Sequence, residues 1–344
     1  MSRDHLLTLN AGSSSIKFAL FARDDLAAPV FGGQVEGIGL PGGAATHDAA
    51  MTDVLARLAA RPERIAAVGH RIVHGGARWV APVRIDDAVV SQMRALIPLA
   101  PLHQPHNVAG VEAARRAFAR LPQVACFDTA FHATQPELNR RFALPQALFD
   151  AGVRRYGFHG LSYESIVAQL GAAAQGRVVV AHLGNGASMC AMQDGRSVAT
   201  TMSFSPLDGL PMGTRCGRLD AAVVLHLIRE GRTVDEVERL LFRESGLRGL
   251  SGVSSDMREL EASTVASAAM AVDYFLEQVL RELAGMAAAL RGIDRLVFTG
   301  GIGENAAGLR ERIVAGAAWL GDFETRVLRT DEEGVIARHT ARLA

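Results

Sequence analysis

Two β-hairpins of similar plan stand out in this sequence and limit the folds open to it. In the first, residues 5–9 (HLLTL) and 16–21 (IKFALF) flank the small-residue turn NAGSSS. In the second, residues 178–183 (VVVAHL) run through GNGAS into MCAMQ. Short apolar runs separated by Gly, Asn and Ser are typical of strands joined by turns. The sequence therefore predicts two units that echo each other in architecture more than in literal repetition.

Strands and helices alternate around these hairpins. Further strands are predicted at residues 66–74, 123–128 and 295–301, and helices at 86–97, 106–120, 220–231, 233–244 and 263–290, with another opened by ENAAGLRERI. A length of 344 residues suits two domains, and 49% apolar with 21% charged residues is typical of a globular chain. The predicted fold class is α/β, in two units.

Charge and cysteine content narrow the possible partners and location. The 36 basic and 36 acidic side chains balance, so net charge indicates neither a nucleic-acid nor a membrane partner. Three cysteines without a CxxC pair predict reduced thiols (Cys126, Cys190 and Cys216). The start lacks the apolar run of a signal peptide, and no later run approaches the roughly 18 residues of a membrane span. We therefore expect a soluble, cytoplasmic protein.

The small-residue turns predict phosphate binding. In NAGSSSIK, backbone N–H groups and hydroxyls can converge on one point, and Lys17, the only lysine, adds a positive charge. This is not a Walker loop, which requires GxxxxGK[ST] before a helix. One such turn alone would read as a polar hairpin, but LGNGAS and FTGGIGEN favour a nucleotide in a cleft between two domains. A nicotinamide site is disfavoured because GGIGEN lacks the full GxGxxG spacing.

Ten motifs cover nearly the whole chain in a fixed order. They are LNAGSSSIKF (9–18), GHRIVHGG (69–76), PLHQPHN (101–107), FDTAFH (127–132), RRYGFHG (154–160), HLGNGAS (182–188), SPLDGLPMGTRCGRLD (205–220), SGVSSDMRE (251–259), FTGGIGEN (298–305) and TDEEGVIARHT (330–340). In this order they resemble the motifs of the acetate, propionate and butyrate kinases, which belong to the actin-like ATPase superfamily.

This resemblance implies two actin-like (ribonuclease H-like) domains with a nucleotide cleft between them. Residues 1–130 with 330–344 would form the first domain, and residues 131–329 the second, which would carry nucleotide-binding and dimerisation surfaces. A homodimer is implied. The implied reaction is reversible transfer of the γ-phosphoryl group of ATP to acetate, giving acetyl phosphate and ADP, with Mg²⁺ or alternatively Mn²⁺.

Three alternatives stay open. Propionate or butyrate could be the acceptor, or the chain could bind nucleotide without catalysis. A sugar kinase is less favoured, because the sequence offers no obvious aspartate base for a hydroxyl group, whereas carboxylates are already ionised.

The resemblance also implies catalytic roles. Arg71 and Arg215 match the two active-site arginines of the family, and guanidinium forks suit a carboxylate and a transferring phosphoryl group. His159 matches the histidine that donates to the phosphoryl oxygens as charge develops. Asp128 is the implied catalytic carboxylate.

Magnesium would be organised by Asp128, with Glu332 and Asn10 as further metal-site residues, because hard oxygen ligands suit this ion. Glu332 could instead be an exposed residue at a helix start, since TDEE is also a good capping sequence. A zinc site at His70 and His74 is disfavoured, because their segment is predicted to be a strand.

Binding residues follow from the same resemblance. The apolar end of the acceptor would lie against Val73, Leu102, Phe158 and Pro206. The nucleotide would be held by Ser13, Ser15, Lys17, His182, Asn185, Gly186, Asp256, Met257, Arg258, Gly301, Ile302, Gly303 and Asn305. His103 would help position the substrates.

The chain departs from the family pattern in length and in several loops. Losses are expected around residues 36–66 and 320–327, and neither removes a motif. Unusual residues occupy family positions at Leu161, Tyr163, Ala199, Ser203, Gln104 and His106. These changes bear on catalytic rate and acceptor preference rather than on the fold.

Overall fold

The computed structural model describes residues 4–12, 15–39 and 42–344. Within them the strands are β1 (Asp4–Ala11), β2 (Ser15–Ala22), β3 (Phe31–Glu36), β4 (Arg64–Ile72), β5 (Val83–Arg84), β6 (Gln123–Phe127), β7 (Arg177–Leu183), β8 (Ala187–Gln193), β9 (Arg196–Thr200), β10 (Arg295–Thr299) and β11 (Glu324–Val327). The helices are α1 (His47–Ala59), α2 (Asp87–Ala95), α3 (Gln104–Ala117), α4 (Glu137–Arg140), α5 (Gln146–Asp150), α6 (Gly160–Leu170), α7 (Ala221–Arg229), α8 (Val234–Arg243), α9 (Gly246–Ser251), α10 (Met257–Ala262), α11 (Ala266–Leu290), α12 (Gly300–Asn305), α13 (Ala307–Gly316) and α14 (Glu332–Leu343).

These elements form two compact units. The first contains the described residues up to Ala133, together with Gly160–Ser165 and Asp331–Ala344. The second contains Thr134–His159 and Ile166–Thr330. The chain thus leaves the first unit, builds the second, and returns to the first through its last helix.

The sheet of the first unit has the strand order β3-β2-β1-β4-β6-β5 in the described residues. Strands β1, β2 and β3 form an antiparallel meander, while β4 and β6 run parallel to β1. The sheet of the second unit has the order β11-β10-β7-β8-β9, with β7, β8 and β9 antiparallel and β10 and β11 parallel to β7.

The five strands β3-β2-β1-β4-β6 therefore match β9-β8-β7-β10-β11 in order and direction. This arrangement confirms the actin-like (ribonuclease H-like) fold class and both predicted hairpins. The repetition lies in topology, which explains why the two halves share so little literal sequence.

The first sheet is covered on both faces, which is why β1 and β4 are apolar with little alternation. Helices α1 and α3 pack on one face, where Leu7, Leu9 and Val54 belong to one buried cluster. Helix α14 packs on the other face through Val335 and Ile336.

Gly69 on β4 permits the close approach of α14, because a Cβ there would lie 2.2 Å from Thr340 Oγ1. A side chain at this position would push the helix off the sheet.

The second sheet packs against the 25-residue helix α11. Phe275, Val279 and Leu283 of this helix are fully buried, and each contributes about 1.5–3 kcal/mol by leaving water. One predicted element is wrong in detail: the strand expected at residues 295–301 ends at Thr299, and GGIGEN forms helix α12 instead of a turn. Gly300, at a φ of 79°, makes this abrupt change of direction possible.

Across the described ranges, no helix combines the length and apolar character needed to cross a membrane.

Candidate active site

Four predicted residues come together in the first unit, in a group we call the arginine–aspartate cluster (Asn10, Arg71, Asp128 and Glu332). Arg71 lies near the end of β4, Asn10 near the end of β1, and Asp128 directly after β6. Because β1, β4 and β6 are parallel neighbours, their carboxyl ends meet at one edge of the sheet. Glu332 joins them as the first residue of α14.

Arg71 is the centre of this cluster. Its Nη2 lies 2.6 Å from Asp128 Oδ2, and its Nε lies 3.2 and 3.1 Å from the two oxygens of the same carboxylate. Its Nη1 donates to Asn10 Oδ1 at 3.3 Å, and Glu332 Oε2 lies 3.7 Å from Nε. Asp128 is 1% exposed, so the guanidinium compensates a carboxylate that water barely reaches.

The charge of Arg71 is secure. Burial by itself would lower the pKa of this guanidinium, but the negative charges of Asp128 and Glu332 outweigh burial and raise the pKa. Arg71 therefore stays protonated throughout the working range of an enzyme and can neutralise an anion.

The predicted phosphate turn follows β1, the strand that carries Asn10. Lys17 pairs with Asn10 across the hairpin, is half exposed, and forms an ion pair with Glu333. Ser15 begins β2 and its carbonyl accepts from Gly12 N at 2.8 Å. The predicted role of Ser13 falls outside the described residues. A ligand anion at Lys17 would therefore compete with Glu333.

A second group lies in the second unit, and we call it the histidine cluster (His159, His182, Ser188, Gly186 and Arg215). The imidazole of His159 stacks on that of His182, with ring centroids 4.3 Å apart and an interplanar angle of 24°. His159 Nδ1 lies 2.9 Å from Ser188 Oγ. A Cβ on Gly186 would lie 3.2 Å from His159 Nε2 and 3.9 Å from Arg215 Nη1, so glycine leaves room beside both groups.

One backbone conformation and one side-chain hydrogen bond hold the residues of this histidine cluster in place. His159 has a φ of 58°, a left-handed conformation that few residues other than glycine adopt, at the start of α6. Arg215 is half buried and its Nη1 donates to the carbonyl of Pro206 at 3.1 Å. Both functional groups are thus held by local structure.

The predicted nucleotide residues start at the ends of two neighbouring strands. Thr299 pairs with His182 where β10 and β7 end, and a Cβ on Gly184 would lie 3.6 Å from Gly301 N. The turn after β7 and the start of α12 are therefore adjacent. Asn185 is exposed in that turn, and its carbonyl accepts from Gly213 N at 3.2 Å.

The remaining predicted nucleotide residues lie on α10 and α12. Asp256 caps α10 and binds Arg258 at 2.5 Å, and this pairing lowers the pKa of Asp256 to about 2. Met257 is buried. On α12, Gly303 is buried, Ile302 is half-buried, and the exposed Asn305 donates to the Gly301 carbonyl at 2.8 Å.

The predicted acceptor residues are divided between the two units. Val73 is buried and Leu102 half-buried in the first unit, whereas Phe158 and Pro206 are buried in the second. His103 is half-buried just before α3.

No group of three or more His, Cys, Asp or Glu side chains suited to a metal occurs in the part of the chain that the structure describes. A magnesium ion needs fewer protein ligands, because it is usually bound through one or two carboxylates and keeps waters and substrate phosphates as its other ligands. The donors present at the arginine–aspartate cluster, two carboxylates and one amide oxygen, fit that requirement.

The two histidines considered for zinc, His70 and His74, each use a ring nitrogen in a hydrogen bond within the protein. His70 Nε2 lies 2.8 Å from Gln123 Oε1, and His74 Nδ1 accepts from Gly76 N at 2.9 Å. Burial lowers the pKa of each imidazole to about 4.

The departures from the family pattern are well-packed residues. Tyr163 is fully buried against Phe131 and His132, and Leu161 belongs to the core beneath α14. Gln104 donates to the carbonyls of His74 and Met93. Ser203 donates to Asp208 at 2.5 Å, and Ala199 lies on β9.

Sequence reasoning missed two residues that contact the N-terminal turn. Asn107 donates to the Ala11 carbonyl at 2.6 Å, and His47 to the Gly12 carbonyl at 2.8 Å. Asn107 lies within the motif PLHQPHN, which could have marked it, whereas nothing in the local sequence distinguishes His47.

Comparison with known proteins agrees with this geometry. A model described as the acetokinase family matches residues 42–344. The chain belongs to this family. It is 49% identical to an acetate kinase of Methylocella silvestris over 394 aligned residues, which cover 98% of this chain and 97% of that protein.

Two solved structures of similar kinases align with this chain over nearly its whole length. A propionate kinase from Francisella tularensis aligns with a TM-score of 0.94 at 34% identity, covering 100% of both chains. The acetate kinase of Porphyromonas gingivalis aligns with a TM-score of 0.90 at 34% identity, covering 99% of each. Because relatives named for two different acceptors resemble this chain, family membership by itself leaves acetate and propionate open.

Proposed function

We propose that this chain is an acetate kinase that transfers the γ-phosphoryl group of ATP reversibly to acetate, giving acetyl phosphate and ADP. The observation that carries the proposal is the arginine–aspartate cluster, where a buried carboxylate holds a permanently charged guanidinium at the carboxyl ends of the three parallel strands β1, β4 and β6. The similarity to curated acetate kinases supports the choice of acceptor.

In this proposal each cluster stabilises charge rather than forming a covalent intermediate. Arg71 and Arg215 bind the acceptor carboxylate and the transferring phosphoryl group, since planar forks match both anions. His159 Nε2 faces the space that Gly186 keeps open and donates to a phosphoryl oxygen as charge develops. Its orientation is set by Ser188 on the other ring nitrogen.

We assign the nucleotide to the turns around β1 and β7 and to α10 and α12. Lys17 and Ser15 would contact the phosphates, as would Asn185 and Gly186 in the turn after β7. The adenosine end would lie near Asp256, Met257, Arg258, Gly301, Ile302, Gly303 and Asn305.

Magnesium would be held by Asp128, Glu332 and Asn10, partly through water. When bound, this ion neutralises charge on the phosphates of ATP. The protein's own contribution is to hold the Asp128 carboxylate in a fixed position, which the three contacts from Arg71 accomplish.

The acceptor pocket is assigned to Val73, Leu102, Phe158 and Pro206. A methylene group that fits gains up to about 0.8 kcal/mol, while discrimination by one methylene reaches only about 1–3 kcal/mol. We therefore expect acetate to react best, propionate second and butyrate poorly, with graded rather than absolute preference.

A coupled assay on a panel of C2 to C4 acids tests the proposal. Acyl phosphate should form with Mg²⁺ and ATP, and kcat/KM should be highest for acetate. A parent enzyme that prefers butyrate would overturn the acceptor assignment only. Tight ATP binding without turnover on any acid would favour a non-catalytic nucleotide-binding protein.

Two further proposals concern the whole chain. We infer two domains, residues 1–130 with 330–344 and residues 131–329, and a homodimer formed through the second. An apolar helix surface supports the dimer, because α7 buries none of its residues and leaves Leu225 51% and Ile228 40% exposed. A cytoplasmic location completes the proposal.

A further inference from the structure

Ser203 joins two segments of the second unit, and each segment carries a residue of the histidine cluster. Segment 154–159 ends at His159, and segment 205–216 contains Arg215. Ser203 lies two residues before the second segment and is 2% exposed. Its hydrogen bonds therefore act between the two segments without competition from water.

The main chain of Ser203 holds the first segment. Its carbonyl accepts from Tyr156 N at 2.9 Å and from Gly157 N at 3.1 Å. These two residues directly precede Phe158, which we assign to the acceptor pocket, and His159, which we assign to the phosphoryl group. The carbonyl of Ser203 thus fixes the chain at the point where it enters the site.

The side chain of Ser203 holds the second segment. Its hydroxyl donates to Asp208 Oδ2 at 2.5 Å in a charge-assisted hydrogen bond, and Arg155 Nη1 lies 3.6 Å from the same oxygen. Asp208 Oδ1 accepts from Gly209 N at 2.9 Å. Asp208 follows Pro206, another residue of the proposed acceptor pocket, by two positions. Its carboxylate therefore connects both segments through Ser203.

Close packing keeps Asp208 beside Ser203. Gly209, the residue after Asp208, has a φ of 92°, and a Cβ there would lie 2.8 Å from the Cβ of Thr201. Glycine at this position lets segment 205–216 approach the chain just before Ser203. The main chain thus holds the carboxylate in reach of the hydroxyl.

The two segments also converge at Gly186. A Cβ on Gly186 would lie 3.2 Å from His159 Nε2 and 3.9 Å from Arg215 Nη1. Arg215 Nη1 in turn donates to the Pro206 carbonyl at 3.1 Å. The separation of the two segments therefore sets how far the imidazole lies from the guanidinium.

We propose that Ser203 is a positioning residue that sets acceptor selectivity, because it fixes segment 154–159 against segment 205–216. The inference rests on the proposed function. A misplacement of about 1 Å in an active site can cost about 100-fold in rate. Without the hydroxyl, Asp208 keeps only the longer contact with Arg155 from the first segment. The pocket walls can then separate, which favours an acceptor with one more methylene group.

The test compares substitutions that differ in what they remove. Ser203→Ala removes the hydroxyl and keeps the carbonyl contacts. Asp208→Asn keeps a hydrogen-bonding partner for Ser203 but loses the charge that attracts Arg155. Ser197→Ala is the matched control, because Ser197 on β9 is 1% exposed and its Oγ accepts from Cys190 Sγ at 3.4 Å.

The first measurement is steady-state kinetics with acetate and propionate. In Ser203→Ala, kcat/KM should fall about tenfold for acetate and about twofold for propionate, so the preference for acetate shrinks about fivefold. The KM for ATP should stay within about twofold of the parent, since the residues assigned to the nucleotide lie on other segments. Asp208→Asn should give an intermediate change, and Ser197→Ala should keep the preference of the parent.

The second measurement is hydrogen exchange of peptides covering residues 154–159 and 205–216 in the ligand-free protein. Exchange should be about fivefold faster in Ser203→Ala and like the parent in Ser197→Ala. Thermal melting of each variant shows that it is folded.

The outcomes separate the possibilities. An unchanged ratio of acetate to propionate in a folded Ser203→Ala variant would overturn the inference. An equal change of that ratio in Ser197→Ala would also overturn it, because any lost buried hydroxyl would then have the same effect. A parent protein that forms no acyl phosphate would refute the proposed function, and the exchange measurement would still decide whether Ser203 ties the two segments.

Discussion

At the scale of single residues, Arg71 and Arg215 share a proposed role but differ in what their removal exposes. Truncating Arg71 leaves Asp128 buried without its guanidinium partner, which costs about 3–5 kcal/mol when a buried ion pair is broken. Arg71→Ala should therefore lose at least about 100-fold in turnover and also melt at lower temperature. Arg215→Ala should lose similar turnover with a smaller change in melting temperature.

Kinetics and thermal melting of the two alanine variants check this difference. Arg71→Lys is the control, because lysine keeps the charge near Asp128 but lacks the bidentate fork, so it should restore stability more than turnover. Near-parent turnover in either alanine variant would remove that arginine from the proposed machinery.

His159 carries a second prediction at this scale. Because its φ is 58°, a side chain there is strained by about 1–2 kcal/mol that glycine avoids. His159→Gly should therefore be at least as stable as His159→Ala, although both should be impaired in turnover. Urea unfolding of the pair measures the order directly.

The matched control is the same pair at His182, which lies in strand β7. There alanine should be the more stable, by about 0.5–1 kcal/mol, because glycine gains freedom in the unfolded chain. If alanine were more stable than glycine at both positions, the His159 backbone would be unstrained.

Motifs predicted the members of the arginine–aspartate cluster but not its bonds. Arg71 and Asp128 each lie in a recognisable motif, yet their pairing depends on β4 and β6 being neighbours, which no local pattern specifies. His47 was missed because its contact with Gly12 depends on where α1 packs. The sequence motifs thus indicated which residues belong to the site. Which side chains bond to each other depends on the fold and could not be predicted.

At the scale of elements, the hairpins were predictable because their apolar runs and small-residue turns are local signals. Helix α12 was not, because Gly-rich sequence is typical of turns, and only the parallel strand before it makes a helix start favourable. The seating of α14 on β4 was also hidden, since Gly69 and Thr340 are far apart in sequence and the need for glycine arises only on contact.

Strand β4 and the residues after it carry a pH prediction. Burial lowers the pKa of His70 and His74 to about 4, whereas both imidazoles would titrate near 6.5 when unfolded. Below pH 6.5 the unfolded chain therefore binds more protons, so the free energy of unfolding falls as pH falls towards 4. By pH 5 each histidine should have cost about 2 kcal/mol, while little changes above pH 7.

Urea unfolding between pH 5 and 8 measures this dependence. His70→Gln should reduce the slope below pH 6.5 by about one proton, because one titrating group is lost while an amide donor is retained. An unchanged slope in that variant would mean that His70 is protonated in the folded protein.

At the scale of the whole molecule, the strand and turn pattern that restarts midway predicted two α/β units, and the family resemblance implied that both are actin-like. It could not predict that Gly160–Ser165 belongs to the first compact unit, since this segment is the start of a helix whose remainder lies in the second. Contacts decide such membership, and contacts of this kind leave no periodic signal.

The last prediction concerns assembly through α7. Leu225 and Ile228 lie three residues apart on this helix and are exposed at 51% and 40%, so they share one face. A symmetric dimer would bury this face twice, and each substitution would therefore count twice. Each apolar side chain returned to water costs about 1.5–3 kcal/mol, so the double variant Leu225→Arg with Ile228→Arg should be monomeric at micromolar concentration.

Sedimentation velocity across a concentration series measures this, with Val30→Arg, at a 48% exposed position in the first unit, as the matched control. A parent that sediments as a monomer would refute the dimer, and a double variant that dimerises like the parent would place the interface elsewhere.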